Sequence, residues 1–438
     1  MSDAATNIDV DGRPKALLPT RMLLRISMFW LGLTAIDAAV ASAVQSRLLF
    51  DELVPAGQVG AAIAALTAAV FIFSFFIQPT AGSISDYTVT RWGRRKPYIV
   101  IGATLDAVFL IGIATANTFV ALAAFVVLLA VSTNVARGPF QGYIPDLIAG
   151  PQVGFASSLV GLMQVVGNIV GFALAALADL EGNVGLALAA VATIEVVTMI
   201  SVVARVPNGP PAKPREGRSW RSIAAETWGT DILRERSYVW LLLSRLLVLM
   251  GGAALVNFMV LYLVNVQGMT QAESGEARLA ILAAVAISSM VAIIPAARLS
   301  DRIGRKPVIY VSAGLGALSL AIAVVAPNLA VITVAAALFG ASQGTFLAVD
   351  WALMTEIVPK ASAGRYMGIS NVATQSASTL AGVIGGLIIF QLSAYADGTG
   401  VRVVLVLGIC SFIAGAFALR PVVEPKRVVP ETGAVAAA

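Results

Sequence analysis

Residues 82–97 read Gly82-Ser-Ile-Ser-Asp86-Tyr-Thr-Val-Thr-Arg91-Trp-Gly93-Arg94-Arg95-Lys96-Pro97, and residues 297–307 read Ala297-Arg-Leu-Ser-Asp301-Arg302-Ile-Gly304-Arg305-Lys306-Pro307. Each stretch contains an acid, then Gly-Arg, then Lys-Pro, and each separates two long apolar segments. The two copies occupy matching places in the first and second halves of the chain. Two such loops at matched positions indicate a duplicated structural unit.

The composition is that of a membrane protein. Hydrophobic residues make up 58% of the chain and charged residues 12%, whereas soluble domains carry about 25% charged residues. There is no histidine, and Cys410 is the only cysteine, so an internal disulfide is excluded. Without histidine, a proton carrier must be an Asp or Glu. Residues 1–20 lack an apolar signal core, so no cleaved secretory peptide is expected.

Twelve segments are apolar over the roughly 20 residues that a membrane-spanning helix needs. They cover residues 22–46, 57–79, 97–116, 118–148, 154–178 and 184–204, then 237–265, 277–297, 307–325, 329–357, 364–392 and 399–419. We therefore predict an all-α integral membrane protein with twelve transmembrane helices in two pseudo-symmetric six-helix bundles.

The basic residues predict the orientation of these helices. Of the 29 Lys and Arg residues, 24 fall in the termini, the central loop and the loops on the same side. Arg47, Arg278 and Arg402 are assigned to the opposite loops, and Arg137 and Arg245 lie inside helices. This bias places both termini in the cytoplasm. The protein is expected in the plasma or inner membrane of the cell.

The predicted domains follow from the spans. They are a cytoplasmic N-terminal tail (1–21), a first bundle (22–204), a central linker (205–236), a second bundle (237–419) and a cytoplasmic C-terminal tail (420–438). In the linker, Trp220, Ile223, Trp228 and Ile232 recur at helical spacing beside Arg218 and Arg221. This pattern is typical of a short amphipathic helix on the inner leaflet; a disordered basic linker is the alternative.

At the repeated loops the chain resembles the major facilitator superfamily, whose loop pattern is Gly-x-x-x-Asp-Arg-x-Gly-Arg-Arg-Lys. The extra residues between Asp86 and Gly93 make the first copy more similar to the sugar–cation symporter branch, which includes the sucrose and melibiose transporters. Residues 138–147, Gly-Pro-Phe-Gln-Gly-Tyr-Ile-Pro-Asp-Leu, resemble the Gly-Pro-x-Arg-Ala-x-x-Ala-Asp-Leu pattern in the fourth helix of sucrose transporters. Gly167-Asn168-Ile-Val-Gly171 is similar to their fifth helix.

Two departures from the branch bear on the coupling ion. The arginine of the sucrose pattern falls at Gln141, although Arg137 stands one turn earlier on the same helix face. Melibiose-type sodium symporters carry acids in the second helix, and residues 57–79 contain none. The resemblance therefore favours protons, or no coupled ion, over sodium.

The resemblance implies a gating role for the loop charges, because in the family such contacts close the cytoplasmic side. This gating role is expected of Asp86, Arg94, Arg95, Asp301 and Arg305. Asp146 and Glu356 occupy matching places at the ends of spans four and ten, and we expect each to latch against the next loop. The alternative is that the basic residues only set topology and bind anionic lipid.

Six charges lie within predicted spans, where a charge costs about 2.5–3.5 kcal/mol on insertion scales and generally faces a cavity or a partner. They are Asp37, Asp106, Arg137, Glu195, Arg245 and Asp350. In the superfamily fold, helices one, four, seven and ten line the cavity, which implies that Asp37, Arg137, Arg245 and Asp350 lie there. We expect Asp37 or Asp350 to exchange protons with an arginine as partner; a fixed salt bridge is the alternative. Asp106 and Glu195 fall on helices that are peripheral in this fold and are weaker candidates, with polar packing as their alternative.

The candidates for solute binding are amides and aromatic side chains on the cavity helices, since sugars need hydrogen-bonding groups and a face to stack on. They are Trp30, Asn134, Gln141, Asn168, Asn257, Gln343 and Trp351, with Gln164 and Tyr262 as further possibilities. Packing between helices or anchoring at the interface is the alternative for each.

The sequence thus predicts a secondary transporter rather than an enzyme, because we find no nucleophile, metal or acid–base constellation. No Walker-type loop is present, so nucleotide is not expected to drive it, and neither a nucleic-acid partner nor a cofactor other than the coupling proton is expected. Proton-coupled symport of a disaccharide-like sugar is the leading hypothesis, and efflux of amphipathic compounds by the same fold is the alternative. The partners are then a small solute and the lipid bilayer, and a monomer suffices.

Overall fold

The computed structural model describes residues 16–149, 152–209, 235–357, 363–393 and 398–423. The side chains of Trp351, Glu356 and Arg365 lie outside the described part, and so does the predicted amphipathic helix of the linker. The roles predicted for these residues therefore stay predictions.

The described chain contains twelve long helices. They are α1 (Thr20–Phe50), α2 (Val59–Asp86), α3 (Lys96–Thr115), α4 (Phe119–Gln141), α5 (Val153–Leu180) and α6 (Val184–Arg205) in the first half, and α7 (Arg236–Val256), α8 (Gln271–Ile303), α9 (Arg305–Val325), α10 (Leu329–Ile357), α11 (Ala363–Gln391) and α12 (Thr399–Ala418) in the second. Eleven of them are long and apolar enough to cross a membrane within the described residues, and α11 contributes the shorter apolar helix Ser376–Gln391. This confirms the prediction of an all-α, multi-pass membrane protein.

Two helices are longer than their apolar segments, which corrects the predicted bounds. Helix α2 continues to Asp86, and α8 covers Gln271–Ile303, whereas the hydropathy pattern predicted 57–79 and 277–297. The length of the apolar run matches the thickness of the hydrocarbon layer, while helical hydrogen bonding continues into the polar turns beyond it. In both added turns a serine hydroxyl donates to the carbonyl three residues earlier: Ser85 to Gly82 at 2.6 Å and Ser300 to Ala297 at 2.8 Å. The repeated acids Asp86 and Asp301 consequently lie in helical ends.

Two spans that were predicted to be continuous are interrupted. The segment 118–148 divides into α4 and a short helix, Tyr143–Leu147, after Gly142. The segment 237–265 ends as α7 at Val256, and a π-helical turn follows at Tyr262–Val266. Asn257 therefore lies at a helix break, where irregular backbone at membrane depth is tolerated only inside protein or beside a water-filled cavity.

Each half of the chain forms one bundle. In the first bundle, α1 packs on α5 and α6, and α4 packs on α2 and α3; in the second, α10 packs on α8 and α9, and α7 packs on α11 and α12. Below, the side that carries residues 86–96 and 301–306 is called the basic side, and the other is called the opposite side.

The two bundles meet along two seams on the opposite side, α2 against α11 and α5 against α8. Glycines allow the helices to approach backbone to backbone. A Cβ on Gly60 would lie 2.5 Å from the carbonyl oxygen of Gly386, and a Cβ on Gly386 would lie 2.5 Å from that of Gly60. In the second seam, a Cβ on Gly275 would lie 2.6 Å from the carbonyl oxygen of Ala176. Such close approach is the usual role of glycine between membrane helices.

The buried apolar residues show the same asymmetry between the two sides. One large cluster joins residues of both halves, including Val59 and Ile389 at the α2–α11 seam. A second cluster, with Phe29, Ile99 and Phe140 at its centre, contains only first-half residues among those described, and it lies toward the basic side. The conformation is therefore closed on the opposite side and opens between the bundles toward the basic side.

Replacing a seam glycine is expected to prevent this closure. In Gly60→Ala or Gly386→Ala the added methyl group cannot fit against the facing backbone, so the bundles should part on the opposite side and approach on the basic side. The distance between spin labels on Arg91→Cys and Arg302→Cys, one in each half, should then shorten in pulsed electron paramagnetic resonance. The free cysteine Cys410 is first replaced by serine so that only these two positions are labelled.

Gly161→Ala is the matched control for the seam variants, because a Cβ at Gly161 meets no atom within 4 Å. An unchanged label distance in both seam variants would contradict the assignment of the α2–α11 contact as the closed seam.

Candidate functional site

Asp37 in α1 and Arg137 in α4 form an ion pair across the first bundle. Nη2 of Arg137 donates to Oδ2 of Asp37 at 2.5 Å. The arginine side chain is 8% exposed and the aspartate side chain 48% exposed. A carboxylate exposed to hydrocarbon in mid-helix would be costly, so the exposed part of Asp37 faces the water-filled space between the bundles.

Arg245 in α7 and Asp350 in α10 form the corresponding pair in the second bundle, with Nη1 and Oδ2 2.9 Å apart. Here both side chains are buried, at 5% and 4% exposed. Nε of Arg245 also donates to the hydroxyl of Thr374 in α11 at 3.1 Å. Each bundle thus joins its first and fourth helices through one acid and one base, but only the first pair reaches solvent.

The loop between α2 and α3 is held by a four-charge cluster. Asp146 accepts from Nη2 of Arg94 and from Nε of Arg95, both at 2.6 Å. Asp86 lies 3.0 Å from Nη2 of Arg95 and 3.8 Å from Nη1 of Arg94. Arg95 also donates to the carbonyl of Pro139 at 2.9 Å. All of these contacts lie inside the first bundle, so in this conformation the loop fastens α2, α3 and the end of α4 together.

The loop between α8 and α9 is built differently. Arg305 pairs with Asp301 four residues earlier at 2.8 Å, and Asp301 is 64% exposed. Lys306 donates to the carbonyls of Arg420 and Val422, at 3.0 and 2.7 Å, where a cation is favoured by the end of α12. The two copies of the repeat therefore bind different parts of the chain.

A buried ion pair between the bundles was missed by the sequence analysis. Arg278 in α8 donates to Oδ2 of Asp179 in α5 and to the hydroxyl of Ser42 in α1. Asp179 also accepts from Ser46 at 2.8 Å and from Gln271 at 3.2 Å. Arg278 had been assigned to an opposite loop. Because α8 begins at Gln271, it instead lies two turns inside the helix.

Arg47 requires the same correction, since it lies in the last turn of α1 rather than in a loop. It bonds the carbonyls of Ile113 at 2.5 Å and Ala116 at 2.6 Å, at the end of α3, and pairs with Asp51 at 2.7 Å. An acid near the end of span five and a base near the start of span eight were the available signals for the Asp179–Arg278 pair. Their contact requires the arrangement of the bundles.

The remaining acids of the spans, Asp106 in α3 and Glu195 in α6, are fully buried. Their carboxyl groups lie close enough to interact, and the hydroxyl of Ser132 donates to Oδ1 of Asp106. Neither oxygen of Glu195 has a hydrogen-bond partner among the described residues. The structure thus brings together two residues that the sequence could only place on separate helices.

The solute-binding candidates divide into packed and accessible side chains. Asn134 is buried and donates to Ser74 at 2.8 Å and to the carbonyl of Ala130 at 2.7 Å, so packing explains it. Tyr262 is buried as well and donates to the carbonyl of Ala323 at 2.7 Å. The candidates that keep an accessible surface are Trp30, Gln141, Gln164, Asn168, Asn257 and Gln343.

Two of the accessible amides lie where the second bundle is open or irregular. Asn257, at the break after α7, donates to the carbonyl of Ser378 at 2.8 Å. Gln343 in α10 lies beside Gly252 of α7, where an added Cβ would be 3.1 Å from its Nε2. In the first bundle, Trp30 lies two turns before Asp37 on the same face of α1 and contacts Phe140 at 5.9 Å between ring centroids.

Two six-helix bundles that meet on one side, with a charge pair in each, are the architecture of membrane transporters built from repeated bundles. The family model described as Major Facilitator Superfamily matches residues 26–287 and 273–436. The chain belongs to the Major Facilitator Superfamily, as its repeated loops predicted, and the expectation of a transporter rather than an enzyme is confirmed.

Comparisons with individual proteins agree with this membership. Sucrose transport protein SUC4 of Arabidopsis thaliana is 29% identical over 116 residues, which cover 22% of this chain and 23% of that protein. The chain therefore spans about a quarter of the curated relatives that it matches. A D-xylose-proton symporter structure has a TM-score of 0.67 at 15% identity and covers 92% of this chain and 98% of its own. The nucleoside transporter NupG has a TM-score of 0.66 at 16% identity, with 92% and 98% covered. These structures establish the fold alone.

The Asp179–Arg278 pair is expected to stabilise the conformation closed on the opposite side. Arg278→Gln leaves Asp179 buried without its cation, and loss of one partner of a buried pair costs about 3–5 kcal/mol. The label distance between positions 91 and 302 should therefore shorten, as in the seam variants. The double variant that exchanges the charges, Asp179→Arg with Arg278→Asp, should restore the original label distance. If the distance stays short in this double variant, the ion pair has no role in closure.

The cluster around Asp146 is expected to dominate the stability of the first bundle at its basic side. Asp146→Asn leaves two nearly buried guanidinium groups short of an acceptor, so the free energy of unfolding should fall by about 3 kcal/mol. The matched change Asp301→Asn removes an exposed pair between the end of α8 and the start of α9, worth about 0.5 kcal/mol or less. Thermal unfolding of both variants in detergent tests this, and equal losses would contradict the asymmetry of the two loops.

Proposed function

We propose that the chain couples the entry of protons to the uptake of a sugar of disaccharide size by alternating access. The observation that carries this proposal is the Asp37–Arg137 pair, because it combines a solvent-reachable acid with a buried base. A proton that binds Asp37 removes the negative charge that holds Arg137, so proton binding and rearrangement between α1 and α4 are linked.

Asp37 is a better proton carrier than Asp350 on the same physical grounds. A carrier must be reached by water from one side and then from the other. Asp37 has 48% of its side chain exposed in this conformation, while Asp350 is enclosed with Arg245 at 4%. We therefore assign Asp350 and Arg245 to holding α7 on α10, with Thr374 as a further partner on α11.

The solute site is assigned to the space between the bundles near the membrane midplane, the usual position in transporters with repeated bundles. Trp30 offers a face for stacking close to Asp37, and Asn257 and Gln343 offer amides from the second bundle. A sugar is favoured over other polar solutes by the local similarity to SUC4 and by the residues of α4 and α5 that resemble sucrose transporters. Neither similarity fixes the solute by itself, since one fold serves many substrates.

The orientation belongs to the same proposal. By sequence, 24 of 29 basic residues fall in the termini, the central loop and the loops predicted to share their side, so the basic side is assigned to the cytoplasm, in the plasma or inner membrane. The conformation is then open to the cytoplasm and closed to the outside, which is the state that releases an imported solute.

The test uses proteoliposomes with an internal pH dye, to which sucrose, maltose or another disaccharide is added outside. The unmodified protein should acidify the lumen. Asp37→Asn should abolish acidification but retain exchange of labelled sugar across the membrane, because a neutral amide imitates the protonated acid. Asp350→Asn should instead lower thermal stability, by about 3–5 kcal/mol as for other broken buried pairs.

Asp51→Asn is the control, since Asp51 lies at the opposite surface beside Arg47 and is 43% exposed; it should acidify like the unmodified protein. If no sugar produces acidification and hydrophobic cations evoke a proton flux, the sugar proposal fails and efflux of amphipathic compounds takes its place. If Asp37→Asn still acidifies the lumen, the proton carrier is a different residue.

A further inference from the structure

Asp106 and Glu195 form a buried acid pair that lacks a counter-charge of its own. Both residues have no exposed surface. Neither oxygen of Glu195, nor Oδ2 of Asp106, receives a hydrogen bond from another described residue. The two carboxyl groups lie close enough to interact with each other. Two carboxylates that are shielded from water and lack both donors and a counter-charge of their own are too costly to keep ionised, so at least one of the two acids holds a proton.

The charged and hydroxyl groups around the acid pair come from α4 and α1. Helix α4 contributes Arg137, the hydroxyl of Ser132, which donates to Asp106, and Thr133, which lies beside Asp106. Helix α1 contributes Asp37, whose charge reaches Glu195. Three acids thus share one guanidinium group, and that group is already bonded to Asp37.

Arg137 has an unused donor at this place. Its Nε is buried and has no acceptor among the described residues, while Nη2 holds Asp37. Both acids of the pair interact electrostatically with this arginine. The side chain therefore has capacity to bond toward the acid pair once Asp37 is neutralised.

Glu195 of the acid pair also packs closely against α1 at Gly32. A Cβ on Gly32 would lie 2.9 Å from Cα of Glu195 and 2.6 Å from the hydroxyl oxygen of Thr198. Glu195 consequently sits directly on α1, five residues before Asp37. A change in the charge of the pair acts at the same place where α1 and α6 touch.

We propose that Asp106 and Glu195 form a second proton-binding site, which holds at least one proton while Arg137 is bonded to Asp37. When Asp37 takes up a proton, Arg137 turns from Asp37 to the acid pair and becomes its cation, and the shared proton can then leave. One proton enters at Asp37 and one leaves the pair, so the net charge buried in the first bundle is unchanged. The exchange step rests on the proposed function, whereas the proton held by the pair does not.

The first experiment measures the proton without any solute. Infrared spectra of the purified protein should contain the carbonyl stretch of a protonated carboxyl group at neutral pH. Glu195→Gln and Asp106→Asn should each remove or shift this band, because the remaining acid then accepts its hydrogen bond from an amide. Asp51→Asn should leave the band as it is. An identical band in all four proteins would overturn the proposal.

Sodium is the other cation that two buried carboxylates and two hydroxyls could bind, because hard oxygen ligands suit it. Two results together would show that the pair binds a metal ion instead of a proton. The infrared band would be absent from the unmodified protein, and its melting temperature would rise with sodium but not with potassium. The loss of that rise in Glu195→Gln and in Asp106→Asn would locate the ion at the pair.

The second experiment tests the exchange step in the proteoliposome assay. In Glu195→Gln the amide supplies the hydrogen bond permanently, so sugar-driven acidification should fall by about a hundredfold, the loss expected for one positioned proton-transfer group. Exchange of labelled sugar should persist. Acidification at the unmodified rate, with the infrared band lost, would restrict the pair to a static role and overturn the exchange step. If the unmodified protein shows no sugar-driven acidification, the proposed function fails while the infrared result still decides the proton site.

Discussion

The structure depends on one constraint, which is that a charge in hydrocarbon must have a partner. Three ion pairs meet this requirement by joining one helix to another. Asp37 reaches Arg137, Asp350 reaches Arg245, and Asp179 reaches Arg278. In each case the partner is distant in the chain, so satisfying the charge also fixes which helices are neighbours. Asp106 and Glu195 are the exception, because they are fully buried together without a base of their own.

The two halves repeat a fold but not a chemistry. Both join their first and fourth helices by an ion pair, yet the acid of the first pair is exposed and both members of the second pair are buried. Both carry the repeated basic loop, yet the first loop binds Asp146 in the short helix after α4 and the second binds the chain after α12. A duplicated unit supplies two scaffolds, and in this chain both the exposed acid Asp37 and the buried acids Asp106 and Glu195 belong to the first. The second offers the helix break at Asn257 and the amides.

Much of the fold could be predicted because hydropathy, loop charge and an internal repeat are properties of the sequence alone. The spans, the two bundles and the four charges on α1, α4, α7 and α10 followed from them. The partner of Arg278 could not be predicted, since α5 and α8 are adjacent only when both bundles are assembled. The break after Val256 was also missed, because the residues on either side are as apolar as a continuous span. Hydropathy measures the cost of transfer to lipid, and it carries no information about backbone geometry or about which accessible amide faces the solute.

The glycine seam at Gly60 and Gly386 has a consequence for how the protein responds to its surroundings. The two backbones touch there without a side chain between them. Contacts of this kind between membrane helices rest on van der Waals packing and on what the surrounding lipid gains or loses. The seam is therefore expected to respond to bilayer thickness, because a thicker or thinner hydrocarbon layer changes the tilt at which α2 and α11 fit the membrane.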